Sequence, residues 1–175
     1  MGDMPIPRSI IRYSGLFDFD GLYTAVIDWC KNQGFKWHEM DYKHKVPSPE
    51  GAEQEWVWLM DKNVNDFVSY NYKIKVHMWD MQEVEVEIDG KKKTLTKGRI
   101  YIWMDGKMTY DWQKRFKGSR FKEWMGKFYA KAKDPELSEY WDTIQYRALG
   151  LNAIIKKYFD MQAKHNSHAL YLKEN

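Results

Sequence analysis

Apolar and polar residues alternate with period two from Val68 to Met78. Val68, Tyr70, Tyr72, Ile74, Val76 and Met78 fall on one face, and Ser69, Asn71, Lys73, Lys75 and His77 on the other. That alternation predicts a half-buried strand with one wet face. Val84, Val86 and Ile88 alternate with Glu83, Glu85 and Glu87 and run into Asp89-Gly90, a short-hairpin signal. Leu95–Met104 returns, and a second pair, Asp105-Gly106, predicts another tight turn before Met108, Tyr110 and Trp112. Upstream, Arg8–Phe17 and Phe35–Val46 read as strands, the second closed by Pro47-Ser48-Pro49-Glu50-Gly51. Glu55–Met60 reads as a short aromatic strand followed by the turn cluster Asn63–Asp66. Tight turns join only antiparallel neighbours, so the expected sheet is a curved antiparallel meander of about seven strands.

The apolar period changes to that of a helix in three places. Leu22, Ala25, Val26, Trp29 and Cys30 form one stripe, with Asp18 or Asp20 as N-cap and Gly34 as the terminating glycine. Phe121, Trp124, Met125, Phe128, Tyr129 and Ala132 form a second. A long third helix, Pro135–Met161, carries Leu137, Tyr140, Trp141, Ile144, Ala148, Leu151, Ile155, Tyr158 and Phe159, with Asp134 as its expected N-cap and Gly150 marking a bend. The fold class is therefore α+β: a curved antiparallel sheet packed on amphipathic C-terminal helices. No linker or repeat divides the 175 residues, so one domain is expected, with residues 1–7 as a flexible N-terminus and 165–175 as a frayed tail.

The order of strand Arg8–Phe17, helix after Asp18, hairpins at Asp89-Gly90 and Asp105-Gly106, and helix Pro135–Met161 resembles the helix-grip fold of the START-like (Bet v 1-like, polyketide-cyclase-like) superfamily. It differs in having a single helix after the first strand and an additional helix at 121–132. The resemblance rests on element order over most of the chain and carries over no functional residue. It implies a space between sheet and C-terminal helix that takes a small apolar or lipid-like ligand.

Composition sharpens that expectation. Aromatic residues make up 17 % of the chain, with ten Met besides, more than a small core needs. The surplus suits a pocket wall, for which Tyr70, Tyr72, Met78, Trp141 and Tyr158 are the candidates; the bland alternative is that the same side chains fill the gap. Tyr and Trp are also enriched at interfaces, which leaves a homodimer as a further reading.

Charge adds a second candidate surface. Residues 114–133 hold eight Lys or Arg and one acid, Glu123, for +7; the whole chain is +3, so the remainder is −4. Phe116, Phe121, Trp124, Phe128 and Tyr129 interleave with these cations. Such a basic aromatic helix meets either nucleic acid in a ribonucleoprotein or an anionic membrane surface, with Arg115, Lys117, Arg120 and Lys122 as anion-binding residues. The alternative is an apolar stripe docked on the protein's own sheet. Lys91-Lys92-Lys93 reads as a solvated hairpin tip.

Evidence for catalysis is sparse. No G-x-S-x-G, Walker-type loop, G-x-G-x-x-G or H-E-x-x-H occurs, and no cofactor is implied. His38 and His44 share strand parity but lie about 20 Å apart along an extended chain, too far to ligate one metal together. His165 and His168 fall in the tail. Glu39 with Asp41, and the Glu83–Glu87 row, read as wet sheet faces. Cys30 sits on a helix stripe as a small hydrophobe and, being alone, excludes both a disulfide framework and a cysteine-built zinc site. The N-terminal residues show no signal peptide, and Ile6 stands where a myristoylation signal needs Ser or Thr. A reducing cytoplasm is the expected compartment. The leading expectation is a non-catalytic binding domain; a basic docking protein is second, and a cyclase- or hydrolase-like enzyme third.

Overall fold

The computed structural model describes residues 2–48, 51–88 and 90–159. Among these, β1 (Gly2–Pro5), β2 (Ser9–Phe17), α1 (Phe19–Asn32), β3 (Lys36–Ser48), β4 (Gly51–Asn63), β5 (Val68–Ile88), β6 (Lys91–Tyr110), α2 (Arg120–Ala132) and α3 (Asp134–Lys157) follow in order. The architecture is α+β. All strands form one open antiparallel sheet in the order β1-β6-β5-β4-β3, with β2 on the same edge of β6 as β1.

Six strands replace the expected seven because two predicted interruptions are absent and one unpredicted strand, β1, is added. The runs Val68–Met78 and Glu83–Ile88 are one strand, continuous across a register shift between Trp79 and Gln82 where Asp80 adopts φ 56°. Asp105-Gly106 does not turn: β6 passes straight through it. The glycine serves a close approach instead. Gly106 lies opposite Tyr72, and a Cβ there would sit 2.6 Å from Ile6 Cδ1 and 2.7 Å from Tyr72 Cδ1. Asp105 is turned outward to Arg8 at 2.7 Å. The segment expected to be a flexible N-terminus supplies β1, whose Gly2–Pro5 pair with Tyr110–Lys107. Asp89 and the turn segment Pro49-Glu50 fall outside the described residues, as does the chain after Phe159 that holds His165 and His168.

Helix starts follow local chemistry in two of three cases. Asp18 caps α1, its Oδ1 accepting the Gly21 amide at 2.9 Å, and Gly34 leaves the helix at φ 71°. Ser119 caps α2 through the Lys122 amide. Asp134, expected to cap the third helix, is instead its first residue after Lys133, so α2 and α3 abut with a single residue between them. Pro135 fits in that first turn because its missing N–H has no helical partner to lose.

The core lies between one sheet face and the helices α1 and α3. Trp58 and Met60 from β4, Tyr70 to Met78 at alternate positions of β5, and Ile100, Ile102, Met104 and Met108 from β6 are at most 4 % exposed. Leu22, Val26 and Trp29 of α1 and Ile144, Leu151 and Ile155 of α3 cover them. Phe159 closes the end of the core by packing on Tyr13 and Phe17 of β2, with ring centroids 4.9 and 5.6 Å away.

Burial disfavours the charged form of Asp18, but the Lys93 ammonium at 2.6 Å and the Gly21 amide outweigh it and hold the carboxyl below its ordinary range. A carboxylate so depressed stabilises the fold at pH values above its unfolded pKa of about 3.9, and loses that contribution as pH falls through the lower folded value. Urea titration at neutral pH should find Asp18→Ala less stable by about 1 kcal/mol. Asp18→Asn keeps a capping oxygen, and its stability should fall less steeply than the parent's below about pH 4. Gly106→Ala should lower stability by about 1–3 kcal/mol through overpacking against Ile6 and Tyr72. An unchanged thermal midpoint would return Gly106 to an ordinary loop role.

Candidate functional site

Downstream of β6 the chain folds into two successive tight turns. Asp111 and Lys114 both take left-handed backbone angles, φ 54° and 58°, with Lys114 N–H donating to Asp111 O at 2.9 Å and Lys117 N–H to Lys114 O at 3.2 Å. Asp111, only 2 % exposed, accepts the Arg115 amide on Oδ1 at 2.8 Å. Ser119 then starts α2.

Helix α2 stands on the body through a narrow root. Tyr129 packs on Phe67 and Phe116 at 5.2 and 5.6 Å, and a Cβ at Gly126 would lie 2.8 Å from Phe116 Cβ, so only glycine lets Phe116 reach the helix backbone. No residue of α2 is buried. Phe121, Trp124 and Phe128 are 67 %, 62 % and 64 % exposed and stack on one another at 6.1 and 6.0 Å. The spacing i, i+3, i+7 makes them a single apolar ridge. Arg120, Lys127 and Lys131 recur along one flank of that ridge and Lys122 stands on the other. The alternative in which this stripe docks on the protein's own sheet is overturned by the exposure of its rings.

The anion-binding candidates separate accordingly. Arg115 bridges its own loop to the β4–β5 turn, with Nε 2.9 Å from Gln113 and Nη2 3.0 Å from Asp66. Lys117 faces a hollow beside α2, while Arg120 and Lys122 are exposed on its first turn. The Lys91–Lys93 tip divides too: Lys93 leaves it to pair with Asp18.

The five candidates for an apolar-ligand wall do not surround one space. Tyr70 donates its hydroxyl to Tyr140 O at 2.8 Å and Tyr72 donates to Ile144 O, so both rings are clamped beneath α3. Burial pushes the Tyr70 phenol up to about 12 and raises that of Tyr72 further. Met78 is fully buried. Trp141 reaches away to Pro5 O at 3.1 Å, and Tyr158 lies at the far end of α3 against α1.

The opposite, open face of the sheet holds features that alternation alone does not reveal. Cations cover its rings: Arg8 and Lys75 lie 4.3 and 4.8 Å from Trp103, Arg12 5.3 Å from Tyr101, and Arg99 5.8 Å from Trp79. Two open hollows of about 710 and 650 Å³ lie on this face, the larger between Arg8, His38, Leu59 and Lys73 and the smaller between Arg12, His77 and Arg99. His38 pairs with Asp61 at 2.8 Å, and the side chain of His44 is outside the described residues. Glu53, Glu55 and His77 bring donor atoms within 4.8 Å of one another. Glu53 lies 2.7 Å from His77 Nε2, and Glu55 is shared between Lys43 at 3.8 Å and His77 at 3.7 Å. Cys30 is buried, its Sγ 3.6 Å from Phe35 O, and burial pushes the thiol up to about 11, the opposite of an activated nucleophile.

Neither the protein-family models nor the curated proteins give a match to this sequence.

Because the ridge rings rest on each other and not on the core, replacing Phe121, Trp124 and Phe128 together by Ser should leave the unfolding free energy from urea titration within about 0.5 kcal/mol per site of the parent. A loss of several kcal/mol would mean that the ridge is covered in the folded protein.

Proposed function

We propose that this chain is a non-catalytic interaction protein that lays α2 on an anionic lipid surface. One observation carries the reading: a helix without a buried residue holds out three aromatic rings, each more than 60 % exposed, beside a row of cations. In water that ridge is an unfavourable exposure of apolar area. At the headgroup boundary it is buried, and each nearby Lys or Arg adds about 1 kcal/mol of attraction to an anionic leaflet. The charge distribution supports one orientation, with the +7 segment toward the lipid and the −4 remainder away from it. Among the described residues no helix is long and apolar enough to cross a membrane, which is consistent with a helix that lies on one.

The ridge geometry favours lipid over nucleic acid. Bases stack on open ring faces, whereas the central ring, Trp124, is flanked on both sides by the near-parallel rings of Phe121 and Phe128. The helix-grip resemblance remains as an architectural likeness, supported by α3 lying over an antiparallel sheet. The apolar ligand it implies finds Tyr70, Tyr72 and Met78 already packed against that helix.

Co-sedimentation with phosphatidylcholine vesicles, with and without phosphatidylserine, tests this. The parent should bind only the anionic vesicles, with affinity falling as salt rises. The triple variant F121S/W124S/F128S should lose about tenfold or more in affinity, equivalent to about 1.4 kcal/mol. Equal binding to neutral vesicles, undiminished binding by the variant, or a tighter salt-sensitive complex with single-stranded RNA would overturn the reading.

A further inference from the structure

We infer that the hollow at the root of α2 seats the phosphomonoester headgroup of an anionic lipid; this deepens, and rests on, the reading of α2 as a lipid-docking helix. The hollow has a volume of about 400 Å³ and lies between the turns 111–117 and the helix. Its floor is aromatic, made by Phe67, Tyr110 and Phe116, and Lys114, Lys117 and Lys127 stand around it. The two consecutive tight turns bring Lys114 and Lys117 to one side, and Gly126, by admitting Phe116 to the helix backbone, brings the turn segment up beside Lys127.

Among the uncommitted cations of the basic stretch, Lys114, Lys117 and Lys127 line one hollow, whereas Arg120, Lys122 and Lys131 stand on α2 outside it. Arg115 is held by Asp66 at 3.0 Å and Lys133 by Glu136 at 2.6 Å. Among the described residues, Lys114, Lys117 and Lys127 have no ion-pair partner. Two carboxylates also line the space. Asp111, buried with Oδ1 on the Arg115 amide, and Glu123 on α2 offset two of the three positive charges, leaving the lining at +1. A phosphomonoester brings three terminal oxygens, one for each ammonium group, and a charge of about −1.5 to −2 at neutral pH. A phosphodiester headgroup brings a single negative charge and two free oxygens. Lys127, one of its walls, stands on the flank of the ridge with Arg120 and Lys131, so the hollow borders the ridge on that side.

The test compares phosphatidic acid with phosphatidylserine in phosphatidylcholine vesicles adjusted to equal zeta potential. The parent protein should bind the phosphatidic acid vesicles about tenfold more tightly. K114Q/K117Q/K127Q should lose that preference while still binding phosphatidylserine vesicles, and circular dichroism should show it folded. The control R120Q/K122Q/K131Q removes as much charge but should weaken both lipids alike and keep the preference. Equal binding of both lipids by the parent, or a preference that survives in K114Q/K117Q/K127Q, overturns the headgroup site and leaves α2 docking standing. Binding to neither vesicle overturns both. Saturable binding of inorganic phosphate by the protein without vesicles, lost in K114Q/K117Q/K127Q, together with equal binding of both lipids by the parent, would assign the hollow to soluble phosphate and overturn its assignment to a lipid.

Discussion

The sheet depends on β6 remaining extended through Asp105-Gly106. One edge of that strand carries β5 along nearly its whole length, and the other carries β2 and then β1. A turn at Gly106 would detach residues 107–110 from the sheet, leaving β1 without a partner and Val68–Asn71 without theirs. The strand runs on because both its edges are paired there, and glycine at 106 leaves room for the ring of Tyr72 where a side chain would stand. The same ring extends its hydroxyl to the Ile144 carbonyl of α3. Backbone continuity in the sheet and seating of the long helix thus meet at one tyrosine.

That explains which parts of the fold were legible in the sequence. Alternation identified the strand faces over Val68–Met78 and Arg99–Met104, and the spacing of Leu22, Val26 and Trp29 identified the buried side of α1, because those signals are local. Asp18 and Gly34 were equally readable as helix ends. Asp105-Gly106 was misread because a dipeptide cannot distinguish a glycine needed for backbone curvature from one needed for a neighbour's bulk. The neighbour, Tyr72, is far away in sequence. β1 was missed for the same reason: Gly2–Pro5 has no alternation to recognise and becomes a strand only because the edge of β6 is open to it.

The candidate surface was legible in part. The cations of 114–133 and the aromatic period of α2 stand out in any reading of the chain. Whether the ridge faced inward or outward did not, since an apolar stripe has the same spacing in either case. Exposure of Phe121, Trp124 and Phe128 decides it. The aromatic surplus was divided three ways by tertiary packing: Tyr70 and Tyr72 under α3, the ridge on α2, and the rings of Tyr101, Trp103 and Trp79 under cations on the open sheet face. Residue type alone could not apportion them.

The placement of β1 and β2 on β6 also governs how the chain reaches its fold. Gly2 meets Tyr110 and Phe17 meets Thr96, so the first strands are paired with nearly the last. At a synthesis rate of about 5–20 residues per second, the N-terminal segment leaves the ribosome many seconds before its partner exists. Closing such a long loop is entropically slow, and topologies rich in distant pairings fold in milliseconds to seconds. Until then Ile10, Ile11 and Leu16 belong to an unclaimed strand edge, the kind of surface that chaperones hold.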